Sequence, residues 1–265
     1  MKHSASVALA VLVLIGGTAA GCGTKDPVAA STPSSPAGAP SSTPPAPKDV
    51  LLASVRTFNT SPYSFQIKQT GKSGEGKVDP AAKASSITLS GKESGQSITL
   101  GYLVIGTDIW MKLDLGAAGN KQLGINKTKW LHIDQTKVKN KTALPVDASG
   151  AMSIGTNEMV AGVANVQRVD STHFNGTVDV TNSASIVSPD KAVLDKIGDK
   201  GKAVPFTATL DSQGRLVDFK VDGRTLDPGL TIEVSFDNFG VPQSITKPTG
   251  AVPAPATIYA AVFGG

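Results

Sequence analysis

The sequence contains a single cysteine, Cys22, whose thiol is the most nucleophilic side chain that the chain offers. Cys22 directly follows three small residues, Ala-Ala-Gly at 19–21, and a short apolar run at 7–15 precedes them. Lys2 places a positive charge in front of the apolar run. This order is typical of a secretory signal, and the apolar run is too short to span a bilayer comfortably. Cleavage between residue 21 and Cys22 would make Cys22 the new N-terminal residue.

Residues 19–22 resemble the bacterial lipobox, in which the cysteine sulfur receives a diacylglycerol and the signal is cut in front of it. Ala19 stands where lipoboxes usually have Leu, and Ala is a tolerated alternative. The resemblance implies a signal peptide at 1–21 and a lipid anchor, with palmitate-type chains, on Cys22. Two or three acyl chains hold a protein at a membrane almost permanently, so we expect a lipid-anchored protein at the extracytoplasmic face of the cell membrane. The alternative is a stray thiol in a discarded signal peptide.

Other residue patterns do not indicate catalysis or metal binding. The two histidines of the mature chain, His132 and His173, lack a second ligand at metal-binding spacing. The chain has no G-x-S-x-G, P-loop or G-x-G-x-x-G motif. S-x-x-K matches begin at Ser188 and Ser244, but the S-D-N and K-T-G elements of penicillin-recognising enzymes do not follow. The sequence therefore predicts a protein that is not an enzyme and uses no cofactor and no metal.

The number and distribution of charged residues indicate which classes of partner the protein could bind. The net charge is +4 and the isoelectric point is about 9.1, yet the basic residues are scattered and aromatic residues are few. Nucleic-acid binding favours a clustered basic face, so no nucleic-acid partner is predicted. A mild positive balance suits the neighbourhood of an anionic membrane instead. We expect a monomer whose partners are the membrane and a lipid or lipoglycan ligand.

The chain divides by composition into four parts. Residues 1–21 are the predicted signal peptide, and 22–48 combine the lipidated cysteine with a Pro-, Ser- and Ala-rich segment. That segment has too few large apolar residues to fold, so it is predicted to be a disordered, extended tether. Residues 49–248 are the predicted lipid-binding domain, and 249–265 form a Pro- and Ala-rich C-terminal tail.

Helical spacing of apolar residues predicts helices over 48–58, 155–169 and 188–198. Ser188 is a candidate N-cap of the third helix, Pro189 and Asp190 suit its first turn, and Gly198 suits its end. About ten short strands with alternating apolar residues account for most of the remainder, the last of them at 243–247. The short links predict an antiparallel sheet with helices on one face, an α+β fold.

Central strands of this predicted sheet are apolar on both faces. Leu103, Ile105 and Trp110 alternate with a second apolar set, so each face needs a covering. Two interpretations remain open, a packed two-sided core and a lipid-sized pocket between the sheet and the helices. The candidate cavity residues are Ile87, Leu89, Leu100, Tyr102, Val104, Ile109, Met111, Leu113, Met159, Val163 and Leu194.

Three segments, together with the cysteine motif and the helix-then-strands order, resemble the LppX/LprAFG (LprG-like) lipoproteins of actinobacteria over most of residues 49–248. The segments are FNGTVDVTNSASI (174–186), VPFTATLDSQGRLVDFKVDG (204–223) and TIEVSFDNFGVPQSITKP (231–248). The resemblance implies a curved antiparallel half-barrel of about 10–11 strands with helices on its concave face, as in the LolA/LolB carriers.

Members of that family hold acyl chains in the concave space and carry lipids or lipoglycans through the cell envelope. The resemblance therefore implies a lipid carrier. The long tether and the tail after Pro248 have no counterpart in the family pattern. The alternative function is a non-catalytic envelope lipoprotein that acts as a protein-binding or signalling module without lipid cargo.

Overall fold

The computed structural model describes residues 44–93, 95–144, 146, 154–181, 189 and 191–264. The predicted signal peptide, Cys22 and the predicted tether up to residue 43 lie outside the described residues. Ser188 and Asp190, predicted at the start of the third helix, also lie outside them.

Twelve strands of the described chain form one open sheet that is antiparallel throughout, except that β12 lies parallel to β6. In chain order the strands are β1 (Tyr63–Gln69), β2 (Lys72–Asp79), β3 (Ala84–Glu93), β4 (Gln96–Ile105), β5 (Asp108–Asp114), β6 (Leu131–Ile133), β7 (Val163–Arg168), β8 (His173–Val178), β9 (Val204–Leu210), β10 (Leu216–Asp222), β11 (Thr231–Asp237) and β12 (Val252–Pro253). The helices are α1 (Pro47–Ser54), α2 (Gly116–Leu123), α3 (Thr156–Ala161), α4 (Lys191–Ile197) and α5 (Ala256–Val262).

Two meanders build the sheet. Strands β1 to β6 run outward from the centre to one side, and β7 to β11 run inward from the opposite edge. The meanders join where β1 pairs with β11, with Phe65 opposite Phe236. Because side chains alternate across a pleated sheet, the cross-strand register assigns every residue to one of two faces. The inner face carries Phe65, Ile87 and Tyr102, and the outer face carries the residues that alternate with them.

Helices cover the inner face. Leu51 of α1, Val160 of α3, Ile197 of α4 and Ile258 of α5 are buried in one apolar cluster with the inner-face side chains. The predicted α+β class with helices on one face is therefore confirmed. Within the described part of the chain, no helix has both the length and the apolar character needed to cross a membrane.

The C-terminal segment, predicted from its composition as a Pro- and Ala-rich tail at 249–265, contains β12 and α5 and packs against this fold. Residues 243–251, called the strap below, cross the outer face without forming the strand predicted at 243–247. The strap is fixed at one end where the Gln243 backbone N–H donates to Oδ2 of Asp79 (3.4 Å). At the other end, the Val252 N–H donates to the Trp130 carbonyl (2.9 Å) as β12 joins the sheet.

The strap explains the apolar residues on the outer face of the central strands. Leu103 and Trp110 belong to that face and are 6% and 1% exposed. The Nζ atom of Lys247 lies 5.6 Å from the Trp110 ring centroid, so the strap passes directly over the indole. Both faces of the central strands are therefore covered, the inner one by helices and the outer one by the strap.

The predicted helix over 155–169 is wrong in its second half. Helix α3 ends at Ala161, and Val163 begins β7, which pairs with β8. Val163 and Val166 are β-branched and favour a strand once a partner strand is present. Asn165 adopts a positive φ of 50° where the β7–β8 register shifts, which marks a bulge at this edge of the sheet.

The predictions for the first helix, for the end of the third helix and for one hairpin agree with the structure. The helix predicted over 48–58 is α1 followed by a 3₁₀ turn. The third predicted helix is α4, which ends at Ile197, and the next residue, Gly198, has a φ of +52°. The hairpin predicted at 211–214 is confirmed, with Leu210 opposite Leu216. Strand β2 and helix α2 were not predicted, because both segments are rich in glycine and polar residues and lack an apolar period.

Glycine at position 76 provides a test of the inner-face packing. A Cβ there would overlap the Phe65 ring and the Ser86 carbonyl oxygen, and the carbonyl belongs to the backbone of β3. We therefore expect Gly76→Ala to lower the free energy of unfolding by about 1–3 kcal/mol. In the matched control Gly91→Ala, the new Cβ would lie 3.2 Å from Cγ of the flexible Lys72 side chain, so a much smaller loss is expected. Guanidinium denaturation followed by tryptophan fluorescence measures both, and equal losses would contradict the described packing.

Candidate functional site

The predicted cavity residues of the strands lie side by side on the inner face. The register places them in three cross-strand rows over β3, β4 and β5. The rows are Leu89–Leu100–Leu113, Ile87–Tyr102–Met111 and, on β4 and β5, Val104–Ile109. Uncharged side chains therefore form a continuous apolar surface across three neighbouring strands.

Three further predicted residues join this surface from other elements. Met159 projects from α3 and is 2% exposed, and Val163 lies at the start of β7 and is 1% exposed. Leu194 of α4 is half-buried against the same cluster. Met159 and Val163 do not share a helix face as the sequence suggested, yet the structure brings both into one cluster with the strand residues.

Burial decreases along β3 and β4 toward their connecting hairpin. The cross-strand pair Ile87–Tyr102 is buried, with 1% and 6% exposed, whereas the next pair toward the hairpin, Leu89–Leu100, is only half-buried. The apolar face therefore reaches solvent at the hairpin end of β3 and β4. We call the Leu89–Leu100 pair the exposed end of the inner face.

Two tyrosines supply hydroxyl groups to this face without adding charge. Tyr63 and Tyr102 are 5% and 6% exposed. Burial raises the pKa of Tyr102 to about 12 and also raises the pKa of Tyr63, because the phenolate would lose its hydration. Both side chains are therefore neutral at physiological pH.

Sequence reasoning missed the half of the inner face formed by β1 and β9 to β11. Phe206 and Phe219 stack there with ring centroids 4.9 Å apart and an interplanar angle of 10°. Phe58, from the turn after α1, lies 4.5 Å from Phe236 by ring centroids. These strands show the same alternation of apolar and polar residues that identified the residues of β3 to β5. Their inner-face residues could therefore have been identified from every second position along each strand.

Three pockets formed by described residues lie on the opposite side of the sheet. Their volumes are about 440, 230 and 510 Å³, and their side chains come mainly from the outer face and the strap. None of the predicted cavity residues lines any of the three. Eight of the predicted residues are instead buried within the apolar cluster.

The two described histidines form simple pairs with aspartates. Nε2 of His132 lies 3.0 Å from Oδ1 of Asp108, and Nδ1 of His173 lies 2.8 Å from Oδ2 of Asp170. Backbone N–H groups of Thr172 and His173, followed by the His173 ring, lower the pKa of Asp170. Among the described residues, no group of three or more His, Cys, Asp or Glu side chains is placed to hold a metal ion.

Comparison with known proteins gives little guidance. No family model matches the chain, and no curated protein matches it. A solved structure that the fold resembles is that of an uncharacterised conserved protein from Thermus thermophilus. The two chains are 9% identical with a TM-score of 0.35, and the match covers 78% of this chain and 96% of that chain. A likeness at this level supports no inference about function.

Proposed function

We propose that this protein is a lipid-anchored, non-catalytic lipoprotein of the extracytoplasmic membrane face that binds lipid acyl chains and carries lipids or lipoglycans in the cell envelope. The fold in this proposal is a half-barrel of the LolA/LppX type, with the helices on its concave side. The protein acts as a monomer without a cofactor. Its two functional parts are the anchor at Cys22 and the inner face of the sheet.

Support for the anchor comes from the sequence around Cys22. The only thiol of the chain directly follows the small residues at 19–21, where signal cleavage would expose it. Residues 23–43, most of the Pro-rich stretch, separate that thiol from the folded unit that begins at Pro44. An extended segment of this length spans several tens of ångströms, about 3.1 Å per residue, which gives the domain room above the lipid surface.

Support for acyl-chain binding comes from one observation, the half-buried Leu89–Leu100 pair that continues the buried apolar rows. A chain entering at this exposed end would meet only uncharged side chains in the three rows of β3 to β5. The covering helices α3, α4 and α5 are only 6 to 7 residues long, so shifting one of them exposes little backbone. In this proposal the helices move outward and acyl chains replace their contacts with the sheet.

The burial of eight predicted cavity residues favours a second candidate. A sheet whose inner face is filled by its own side chains is a rigid scaffold, and its function would be to bind another envelope protein. This protein-binding module takes up no fatty acid. The uptake of fatty acid therefore separates the two candidates.

Saturable binding of a fluorescent fatty acid tests the lipid-binding proposal. The mature chain with Cys22→Ala is titrated with cis-parinaric acid, and palmitate is added as a competitor. We expect saturable fluorescence that palmitate displaces. The double substitution Leu89→Gln and Leu100→Gln should weaken binding roughly tenfold or more, since each side chain loses about 1 kcal/mol of apolar contact.

A matched control removes an apolar side chain elsewhere. Val169 is 63% exposed beyond the end of β7, so Val169→Gln should leave the affinity for cis-parinaric acid unchanged. Unsaturable binding by the unsubstituted chain would contradict the proposal. Equal affinity of the double variant and the unsubstituted chain would show that lipid does not enter at the Leu89–Leu100 pair.

A further inference from the structure

A groove on the outer face of the sheet is lined largely by polar and basic side chains, whereas the inner face is apolar. It lies between the strap and the strands and has a volume of about 510 Å³. We call it the outer groove; its lining residues are Lys77, Ser86, Leu103, Trp130 and strap residues 244–249. This volume is in the range of small-molecule binding sites in proteins.

Fixed elements form both the floor and the walls. Ser86 and Leu103 are cross-strand neighbours on β3 and β4 and make the floor. The strap forms one wall, held at its ends by hydrogen bonds to Asp79 and to the Trp130 carbonyl. Because both anchoring points belong to the sheet or its edge, the groove is formed before any ligand arrives.

The charge of the outer groove is positive. Lys77 and Lys247 line it, and no carboxylate does. Within the described chain, neither lysine forms an ion pair, while Lys247 lies over the Trp110 ring. Two ammonium groups without acidic partners favour an anionic ligand.

Aromatic and hydroxyl groups complete the lining. Trp130 is half-buried, and its six-membered ring lies over Gly101, where a Cβ would be 3.3 Å from Cη2. Hydroxyl groups come from Ser86 and from Ser244, Thr246 and Thr249 of the strap. A flat indole packs against the C–H face of a sugar ring, and hydroxyls exchange hydrogen bonds with sugar hydroxyls.

The outer groove continues across the neighbouring strands. A second pocket of about 440 Å³ shares Lys77 and Ser86 with it and extends past Gln66 and Thr88 to Asn238. This extension is polar and contains the carboxylates of Glu75 and Asp237, so the positive charge is confined to the Trp130 end. The volumes of the two pockets together leave room for more than one sugar unit.

We propose that the outer groove binds an anionic oligosaccharide, with a sugar ring against Trp130 and its carboxylate or phosphate group held by Lys77 and Lys247. Uncharged sugars of the same chain occupy the polar extension. This site lies on the face of the sheet opposite the predicted acyl-chain site, so a lipid held on the inner face does not place its headgroup there. The ligand is therefore a free or wall-bound saccharide, and the proposal is independent of lipid binding.

Calorimetric titration of the mature chain with glucuronosyl-xylotriose, which has one carboxylate on a terminal sugar and three uncharged sugars, tests this site. Xylotetraose is the uncharged comparison. We expect saturable binding of glucuronosyl-xylotriose and at least tenfold weaker binding of xylotetraose. Trp130→Ala should lower the affinity at least tenfold, and Trp130→Phe should restore part of it. The double substitution Lys77→Gln and Lys247→Gln should also lower it at least tenfold.

The matched control is the double substitution Lys92→Gln and Lys121→Gln, which removes two exposed lysines that line none of the three described pockets. We expect it to bind glucuronosyl-xylotriose like the unsubstituted chain. Cis-parinaric acid uptake should be the same in all groove variants, and fatty-acid loading should leave the glucuronosyl-xylotriose affinity unchanged. Absent binding, equal binding of the neutral saccharide, or equal weakening by both lysine pairs would overturn the proposal.

Discussion

Replacing Cys22 by alanine is expected to abolish the incorporation of an alkyne-labelled fatty acid into the protein. Cys22 carries the only thiol of the sequence, so in the proposed lipoprotein it is the acceptor of the diacylglycerol, and the peptidase that removes the signal acts on the modified cysteine. The variant should therefore accumulate as a longer precursor, or be shed into the medium after cleavage elsewhere. Metabolic labelling followed by membrane fractionation measures both effects.

The folded domain should be unaffected by this change, because Cys22 precedes the compact unit that begins at Pro44. The control Thr24→Ala removes a nearby hydroxyl and should keep full label and membrane association. A Cys22→Ala variant that still takes up label, or an unlabelled wild type, would show that Cys22 is not a lipid anchor.

The second large effect is expected from Phe263→Ala at the end of the chain. Phe263 is fully buried in the inner cluster, and its carbonyl accepts a hydrogen bond from the Asn140 N–H (2.9 Å). Removing a buried phenyl ring leaves a cavity and typically costs about 3–5 kcal/mol. That loss is a large share of the about 5–15 kcal/mol that stabilises a typical domain, so the midpoint of guanidinium denaturation should fall sharply.

An exposed residue just before the strap serves as the comparison. Val241 is 52% exposed, and Val241→Ala should change the free energy of unfolding by no more than about 0.5 kcal/mol. If Phe263→Ala were no more destabilising than Val241→Ala, helix α5 would not be a packed part of the domain. The segment after Pro248 would then be a tail that adds little to the stability of the domain.

Alternation along the strands allowed the central part of the sheet to be predicted. Ile87, Tyr102 and Met111 were assigned to one face from parity alone, and the register places them in one row. Parity succeeds because the side-chain period of a strand is two residues regardless of its neighbours. The apolar residues on the outer face also predicted correctly that a second segment covers the sheet. They did not predict that the strap is that segment.

The C-terminal segment could not be predicted because its stability depends on distant partners. The strap has no regular secondary structure, and its position depends on Asp79 and Trp130, more than a hundred residues earlier in the chain. Helix α5 has no polar face that would reveal a helical period, since its residues are mainly Ala, Ile, Tyr and Val. The end of α3 at Ala161 likewise depends on β8, which offers an edge for β7.

Native mass spectrometry tests lipid binding most directly. The chain carrying Cys22→Ala, which lacks the proposed covalent anchor, is purified from the producing cells and compared under native and denaturing conditions. The proposal predicts an additional mass in the native spectrum that disappears on denaturation and is identified as an acyl lipid. Repeated preparations that show no such species, from protein that also fails to take up fatty acid, would contradict the function proposed for the inner face.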